Sequence, residues 1–180
     1  AQTAGSTHFH QIYLYAYFFH GIKVFMRKIL VLFVCMGNIC RSPMAEAVFK
    51  DLIKKKGVSD RFLVASAGTG SWHLGQSPHR GTVEILAKNG IDLVGKQAQK
   101  LTLQDLKTYD YILMMDMENV QDVKEYFGFT LPRLLDFAPH TVIKDVPDPY
   151  YNGNFSEVFN LVTLGCQGLL DAILEKENKD

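Results

Sequence analysis

Apolar and polar residues follow one another along the chain in blocks that predict alternating strands and helices. Residues 28–34 form an almost unbroken apolar run, which is typical of a strand buried on both faces. Residues 43–52 are typical of a helix, with Ser42 as its expected N-cap and Pro43 at its first position. The first ordered unit is therefore predicted to be a buried strand, a short loop and a helix.

The same alternation continues to the end of the chain. Further strands are predicted at residues 62–67, 109–115 and 134–137. Further helices are predicted at residues 80–88, 103–107 after a cap at Thr102, from Asp116 to about residue 127, and from about Ser156 onwards. This order indicates a parallel sheet with right-handed crossovers. No domain break follows Met26, so residues 26–180 are predicted to form one domain.

The first 25 residues differ in composition from the rest. They hold seven aromatic residues, three of the six histidines, one lysine and no acidic residue. No basic region precedes the apolar stretch 12–19, and that stretch is too short to span a membrane. Met26 stands directly before the first strand, as a natural start would. We therefore expect residues 1–25 to be a vector-derived, mis-assigned or disordered extension with no part in the fold, the alternative being a targeting or partner-binding arm.

Charge and cysteine content exclude several functional classes. The chain has 19 basic and 19 acidic residues, so no overall field recruits nucleic acid or a membrane surface. Its three cysteines, two of them in one loop, do not make a secreted disulfide framework. A cytoplasmic location is expected, and any anion must bind at a local site.

The candidate chemistry lies in the loop between the first strand and the first helix. Cys35 follows the strand, and five residues separate it from Arg41. Open α/β sheets bind ligands at this edge, where the N–H groups and the helix dipole favour an anion. A thiolate beside an arginine that can clamp two oxygens suits the binding and attack of a phosphate. The alternative is a buried, inert cysteine and a surface arginine.

Residues 34–49, together with Asp148-Pro149-Tyr150-Tyr151, closely resemble the low-molecular-weight protein tyrosine phosphatases of bacterial type, and the resemblance extends over residues 26–180. It implies a flavodoxin-like α/β three-layer sandwich with a four-stranded parallel sheet, monomeric and without metal or cofactor. It implies hydrolysis of phosphotyrosine in proteins through a phosphocysteine. The partners would be tyrosine-phosphorylated proteins, such as a bacterial tyrosine kinase or a host protein reached by secretion.

Phosphoryl transfer needs a nucleophile, donors to the equatorial oxygens and a proton for the leaving group. Cys35 is expected to supply the first, and Arg41 with the loop backbone the second. Asp148, held between two prolines, is the expected acid and later the base that activates water, a role that the resemblance also implies. Asp145 is the competing acid, and an ordinary Asp-Pro turn is the structural alternative for Asp148. The expected substrate-contacting and phosphate-contacting residues are Met36, Gly37, Asn38, Ile39, Cys40, Ser42, Trp72, Tyr150 and Tyr151.

The resemblance also assigns supporting roles around the loop. It implies a strained backbone at Asn38, a hydrogen bond from Ser42 to the thiolate, and a loop-locking role for Ser66. By itself the sequence says only that Asn tolerates a left-handed backbone and that Ser42 suits an N-cap. The family often buttresses this Asn with a His, but Gly95 or Lys96 stands in that place here, which leaves the packing of the loop open.

Substrate choice is expected to depend on the walls of the pocket. Ile39 and the aromatic residues could line a deep slot that phosphotyrosine fills and phosphoserine does not, although the aromatics could also serve only to pack the loop. Related bacterial arginine phosphatases tend to carry Thr at the Ile39 position and to lack the paired tyrosines. The sequence therefore favours phosphotyrosine.

The remaining cysteines and histidines allow three further expectations. Cys40 is expected to form a reversible, protective disulfide with Cys35 rather than a zinc site, because Cys166 stands alone in the last helix. His73, His79 and His140 are expected at the surface. The rival functions are a thiol-dependent arsenate reductase, which would need more cysteines near the site, and a phosphate-binding module or phosphocarrier, which would not need both Arg41 and Asp148.

Overall fold

The computed structural model describes residues 14–19 and 22–179. Two antiparallel strands come first, β1 (Leu14–Phe19) and β2 (Ile22–Arg27), and they pair in a sheet of their own. No element was predicted there. Arg27 donates to the Asp110 carboxylate over 2.9 and 3.0 Å. Residues 1–13, 20 and 21 lie outside the described residues, and the separation of 1–25 from the domain stays a prediction.

The main sheet is parallel, with β3 (Ile29–Cys35) between β4 (Phe62–Gly68) and β5 (Tyr111–Met114). All seven residues of β3 are buried, as the apolar run predicts. Successive side chains of a strand point to opposite faces, and β3 supplies both cores. Its odd-numbered residues pack in one core and Leu32 and Val34 in the other.

Helices cover both faces and make a three-layer sandwich. The first core is covered by α1 (Arg41–Lys55), α2 (Arg80–Lys88) and the later long helix α6 (Phe155–Glu177). The second core is covered by α3 (Leu103–Thr108) and α4 (Met117–Phe127). A short helix, α5 (Pro149–Asn152), precedes α6. The predicted caps are confirmed, because the side chains of Thr102 and Asp116 accept from the backbone at the starts of α3 and α4.

Within the described residues, α6 is the one helix long and apolar enough to cross a membrane by length and composition. Its apolar stripe packs inward: Val158, Val162 and Leu169 are each fully buried in the first core. The stripe is therefore accounted for by packing against α1, α2 and the segment Leu134–Asp136.

The predicted fourth strand is wrong. Residues Leu134–Asp136 form a 3-10 helix, and strand-like pairing is limited to one bridge between Met114 and Arg133. Leu134 and Leu135 are both completely buried in the first core. A strand would send these neighbours to opposite faces, whereas the turn buries both on one side. The Asp136 carboxylate closes the turn by accepting from Arg133 N at 3.0 Å.

The predicted start of the first helix is also wrong. Helix α1 begins at Arg41, and Cys40 occupies its N-cap position without a capping side-chain bond. Ser42 lies inside the first turn, where its hydroxyl is 3.0 Å from Cys35 Sγ. Ser42 therefore serves the site rather than the helix end.

Candidate active site

The loop of residues 36–40 joins β3 to α1 and is held by backbone hydrogen bonds on two sides. Thr69 N donates to Cys35 O and Gly70 N to Met36 O, each over 2.9 Å, while His79 N donates to Ile39 O over 2.8 Å. Gly68 permits the close approach behind the loop, since a Cβ there would lie 2.7 Å from Met36 O. The loop is consequently fixed against the end of β4 and the start of α2.

The sulfur of Cys35 lies at the centre of this loop and is nearly inaccessible, the residue being 2% exposed. Asn38 N donates to Sγ over 3.3 Å, and Ser42 Oγ lies 3.0 Å from it. Asn38 has a φ of 53°, the left-handed backbone that the resemblance implies. This conformation directs the backbone N–H of Asn38 at the sulfur.

The side chain of Asn38 holds that strained backbone in place. Its Nδ2 donates to Ser42 Oγ over 2.8 Å and to Ser66 Oγ over 2.9 Å, and its Oδ1 accepts from Gln99 N over 2.9 Å. Strained residues persist where the surroundings over-determine them, and three hydrogen bonds do so here.

Arg41 is the buried cation of the site, with 3% of its side chain exposed. Its Nη1 bonds the Asp116 carboxylate and donates to Val146 O over 3.1 Å, and its Nη2 donates to Asp148 Oδ2 over 2.8 Å. Burial by itself would lower the pKa of Arg41. The negative charges of Cys35, Asp116 and Asp148 outweigh burial and raise that pKa above its usual value, so the guanidinium stays charged.

The sequence indicates Asp116 only as a helix cap and gives no sign that it belongs to the site. It keeps that role, since its Oδ1 accepts from Asn119 N at 2.7 Å, while Oδ2 bonds Arg41. The position of Asp116 just after β5 could have indicated that it belongs to the site. Val34 of β3 pairs with Met114 of β5, so the residues that follow these two strands meet at one edge of the sheet.

A pocket of about 340 Å³ opens above Cys35. Its lining consists of Cys35, Met36, Gly37, Ile39, Cys40, Arg41, Trp72, His73, Asp148, Tyr150 and Tyr151. Three of the site residues predicted from the sequence do not line the pocket. These are Asn38, Ser42 and Ser66, whose side chains are buried. These three support the loop. His73 is the unpredicted member of the lining.

Aromatic rings form the mouth of the pocket. Trp72 is 71% exposed, and Tyr150 meets Tyr151 edge to face with ring centroids 5.3 Å apart. Two of the histidines expected at the surface are instead half-buried beside these rings. The ring of His73 lies 6.0 Å from that of Tyr150, and His79 stacks on Phe155 at 5.1 Å. His140 is exposed, as expected.

The two candidate acids occupy different surroundings. Asp148 caps α5 by accepting from Tyr150 N over 3.1 Å, and its other oxygen faces Arg41 in the pocket. Asp145 accepts from Met117 N and Arg133 Nη1, each over 3.0 Å, and does not line this pocket. The geometry therefore separates the two acids in favour of Asp148.

The three cysteines are unbridged. Burial, reinforced by the negative charges of Cys35 and Asp148, raises the pKa of Cys40 to about 12. Burial likewise raises the pKa of Cys166, whose thiol donates to Ala45 O over 3.7 Å. Cys40 and Cys166 thus remain thiols at neutral pH.

Of Gly95 and Lys96, the two residues expected where the family often has a His, Lys96 makes side-chain contacts behind the loop. Its Nζ donates to Ser66 O over 2.9 Å and pairs with Glu46 Oε2 at 3.3 Å. Which of the two replaces the His stays a prediction.

The thiol of Cys35 and the guanidinium of Arg41 meet where β3 ends, at the edge of a parallel sheet that suits anion binding. Together with the nearby carboxylate of Asp148, they are typical of a cysteine-dependent phosphatase. Known proteins that resemble this chain agree with that class. The family model described as "Low molecular weight phosphotyrosine protein phosphatase" matches residues 30–179. The chain belongs to this family, and the expected class of enzyme, a protein-tyrosine phosphatase, is confirmed.

The chain matches related proteins and solved structures over nearly the whole length of each of them. Low molecular weight protein-tyrosine-phosphatase YfkJ of Bacillus subtilis is 50% identical over 155 residues, which cover 84% of this chain and 99% of the relative. PtpA of Staphylococcus aureus (strain MRSA252) is 42% identical over 151 residues, covering 82% and 96%. The crystal structure of YfkJ matches with a TM-score of 0.81 at 48% identity, covering 84% and 98%. The structure of DARP, a Drosophila arginine phosphatase, matches with a TM-score of 0.74 at 29% identity, covering 79% and 96%.

Proposed function

We propose that this protein-tyrosine phosphatase works through Cys35 as nucleophile, Arg41 as phosphate clamp and Asp148 as acid and base. One observation supports the assignment above the others: these three side chains line a single pocket of about 340 Å³.

In the first half-reaction, the Cys35 thiolate attacks phosphorus in line with the tyrosyl oxygen. The P–O bond to tyrosine breaks while Asp148 gives its proton to that oxygen, which leaves tyrosine and an S-phosphocysteine. Arg41 and the loop amides stabilise the equatorial oxygens. A bound phosphate dianion would compete with Asp148 for Arg41 Nη2.

In the second half-reaction, the Asp148 carboxylate takes a proton from water. The resulting hydroxide attacks phosphorus, the S–P bond breaks, and inorganic phosphate and the Cys35 thiolate are released. The hydrogen bonds of Asn38 N and Ser42 Oγ to the sulfur make the thiolate a better leaving group. The same two contacts therefore support both steps.

The walls of the pocket support phosphotyrosine as the substrate. Ile39 is 7% exposed and lines the pocket beneath the aromatic mouth. An aryl ring would pack between these walls while its phosphate reaches Cys35, which a shorter phosphoserine would not allow. Because one structural neighbour is named an arginine phosphatase, phosphoarginine is the second substrate to test.

We further propose a monomeric, cytoplasmic enzyme whose substrates are tyrosine-phosphorylated proteins, a bacterial tyrosine kinase or a host protein among them. The arsenate reductase alternative needs further cysteines that can exchange disulfides with the site. Cys166 is fully buried against Ala45, so its thiol is not accessible for such exchange. A phosphate-binding module is disfavoured because the Asp148 carboxylate bonds Arg41. A negative charge at that place would oppose the binding of a phosphate.

The test is steady-state hydrolysis of an aryl phosphate in EDTA by the wild type and by Cys35→Ser. We expect repeated turnover by the wild type and none by the variant, since a serine hydroxyl is not ionised at neutral pH. Phosphoserine and phosphoarginine peptides should be poorer substrates than a phosphotyrosine peptide. A folded, reduced wild type that binds phosphate without turnover would overturn the proposal in favour of a binding module.

A further inference from the structure

A second groove lies beside the catalytic pocket and shares a wall with it. The groove has a volume of about 640 Å³, and Met36 and Trp72 line both the pocket and the groove. The ring of Trp72 packs against Gly70, where a Cβ would lie 1.8 Å from a ring carbon, and 71% of Trp72 is exposed. A protein chain whose phosphotyrosine enters the pocket can therefore continue past Trp72 into the groove.

Helix α4 forms one side of this groove. Glu118, Asp122 and Tyr126 line it, and their spacing of four residues places them on one face of the helix. The three residues extend over roughly 12 Å of helix axis, which is the length of about four residues of extended chain. The groove is therefore long enough for a short peptide segment on one side of a phosphotyrosine.

The other side of the groove is formed by the segment that follows β4, and a hydrogen bond joins the two sides. Thr69 is buried, and its Oγ1 donates to Asp122 Oδ2 over 2.7 Å. Lys100 also lines the groove and is held beside the end of β4 by a parallel bridge to Gly68. A peptide segment would consequently meet a surface that is already formed.

Negative charge prevails around the groove. Among the described residues that line it, Lys100 is the one cation, and Glu118 and Asp122 are carboxylates. Glu118 also lines a neighbouring cleft, whose described residues include one cation and three further carboxylates: Arg41, Asp116, Asp145 and Asp148. A positively charged side chain is therefore attracted to the side of the pocket where Glu118 lies.

Glu118 is the carboxylate of the groove that is free to receive such a side chain. It is exposed, and its carboxylate makes no hydrogen bond or ion pair with another described residue, whereas Asp122 accepts from Thr69. The rings of Trp72 and Tyr126 line the same groove and are largely exposed. Because a guanidinium pairs with a carboxylate and stacks on an aromatic face better than an ammonium does, arginine fits this groove better than lysine.

We propose that the groove between α4 and residues 69–72 binds the peptide segment next to the phosphotyrosine of the substrate protein, and that Glu118 selects an arginine within about four residues of the phosphotyrosine. This inference rests on the proposed function, since the phosphotyrosine must occupy the pocket above Cys35. Glu118 does not touch the reacting atoms. It is a specificity-determining residue that forms an ion pair with the guanidinium of the substrate.

The experiment uses phosphotyrosine peptides with alanine at four positions on each side of the phosphotyrosine, and derivatives with a single arginine, lysine or glutamate at one of these positions. The variants are Glu118→Gln and Glu118→Lys. Glu125→Gln is the matched control, because Glu125 is an exposed carboxylate of α4 with no partner among the described residues and does not line the groove. The measurement is kcat/KM of each peptide relative to the all-alanine peptide, at low and high ionic strength.

We expect arginine at one of the positions to raise kcat/KM of the wild type about threefold, the order of effect of an exposed ion pair, mainly through a lower KM. Lysine should raise it less, and glutamate should lower it. Glu118→Gln should lose most of the preference for arginine, and Glu118→Lys should reverse it in favour of glutamate. Glu125→Gln should keep the wild-type preference, and high ionic strength should reduce that preference because salt screens exposed charges.

The proposal is overturned if no position of arginine improves on the all-alanine peptide, if Glu118→Gln retains the wild-type preference, or if Glu125→Gln loses as much of it. A wild-type preference for glutamate would also overturn it and would make Lys100 the selecting residue. Each preference is a ratio within one protein, so a variant with a lower overall rate still gives a valid result, and Glu118→Gln decides the question if Glu118→Lys does not fold. Absence of aryl phosphate turnover in the wild type would instead refute the proposed function.

Discussion

Arg41 Nη2 donates to Asp148 Oδ2 over 2.8 Å, although the two are 107 positions apart in the chain. This bond joins the start of α1 to the segment that carries the proposed acid. Arg41 is almost completely buried, whereas 28% of the Asp148 side chain is exposed. The proposed acid therefore lies on the more exposed side of the pair.

The two neighbouring acids should respond differently to mutation. We expect Asp148→Ala to lower kcat by roughly 10²–10⁴ on aryl phosphates with poor leaving groups, the usual contribution of general acid-base catalysis. Asp145→Ala should change kcat little, because Asp145 bonds Met117 N and Arg133 outside the pocket. Steady-state rates across a series of leaving-group acidities measure both effects. A larger loss in Asp145→Ala would transfer the role of acid to Asp145.

Asp116 should act through the orientation of Arg41. Asp116→Asn keeps an acceptor for the cap of α4 but removes the charge that bonds Arg41 Nη1. We expect kcat/KM for an aryl phosphate to fall roughly tenfold, since hydrogen bonds to charged groups contribute about 1.5–3 kcal/mol. Asp145→Asn is the matched control. Equal activities of Asp116→Asn and wild type, both folded by circular dichroism, would show that Val146 O and Asp148 suffice to orient Arg41.

Peroxide should inactivate the wild type reversibly. Oxidation of Cys35 gives a sulfenic acid, and attack by the Cys40 sulfur forms a disulfide and releases water. Because the pKa of Cys40 is raised to about 12, the attacking thiolate is scarce at neutral pH, and bridging should accelerate as pH rises. In Cys40→Ser no neighbouring thiol traps the sulfenic acid, so a second peroxide oxidises Cys35 to the irreversible sulfinic acid. We expect dithiothreitol to restore activity to the wild type but not to Cys40→Ser. Equal recovery by both proteins would exclude a protective bridge.

Alkaline pH should lower the free energy of unfolding through the buried thiol of Cys166. Burial raises the pKa of the Cys166 thiol above its usual value, so above about pH 9 the unfolded chain loses this proton and the folded chain keeps it. The stabilisation is complete below pH 9 and declines above it, by up to about 1.4 kcal/mol per pH unit. Urea unfolding between pH 8 and 11 should show a shallower decline for Cys166→Ala than for the wild type. Parallel curves would mean that the thiol ionises equally in both states.

Several parts of the site could be predicted from the sequence because their residues are close in the chain. Cys35 and Arg41 lie on either side of one short loop, and a strand and a helix identified by apolar patterning hold its two ends. Asp148 could be proposed because its neighbouring prolines and tyrosines resemble a known family. Predictions that depended on packing between distant segments were weaker. A strand was predicted at 134–137, but Leu134–Asp136 form a 3-10 helix, since Leu134 and Leu135 are both buried in one core.

The sequence by itself determined the layered α/β order, the thiol and arginine of the loop, and the aromatic character of the pocket mouth, all of which follow from local patterns of side chains. Only the tertiary structure decided that Asp116 bonds Arg41, that His73 joins the pocket lining, and that Lys96 pairs with Glu46 behind the loop. The physical reason is that these contacts join different crossovers of the sheet. Their partners are chosen by strand register and by the burial of charge, neither of which has a signature in any one segment of the chain.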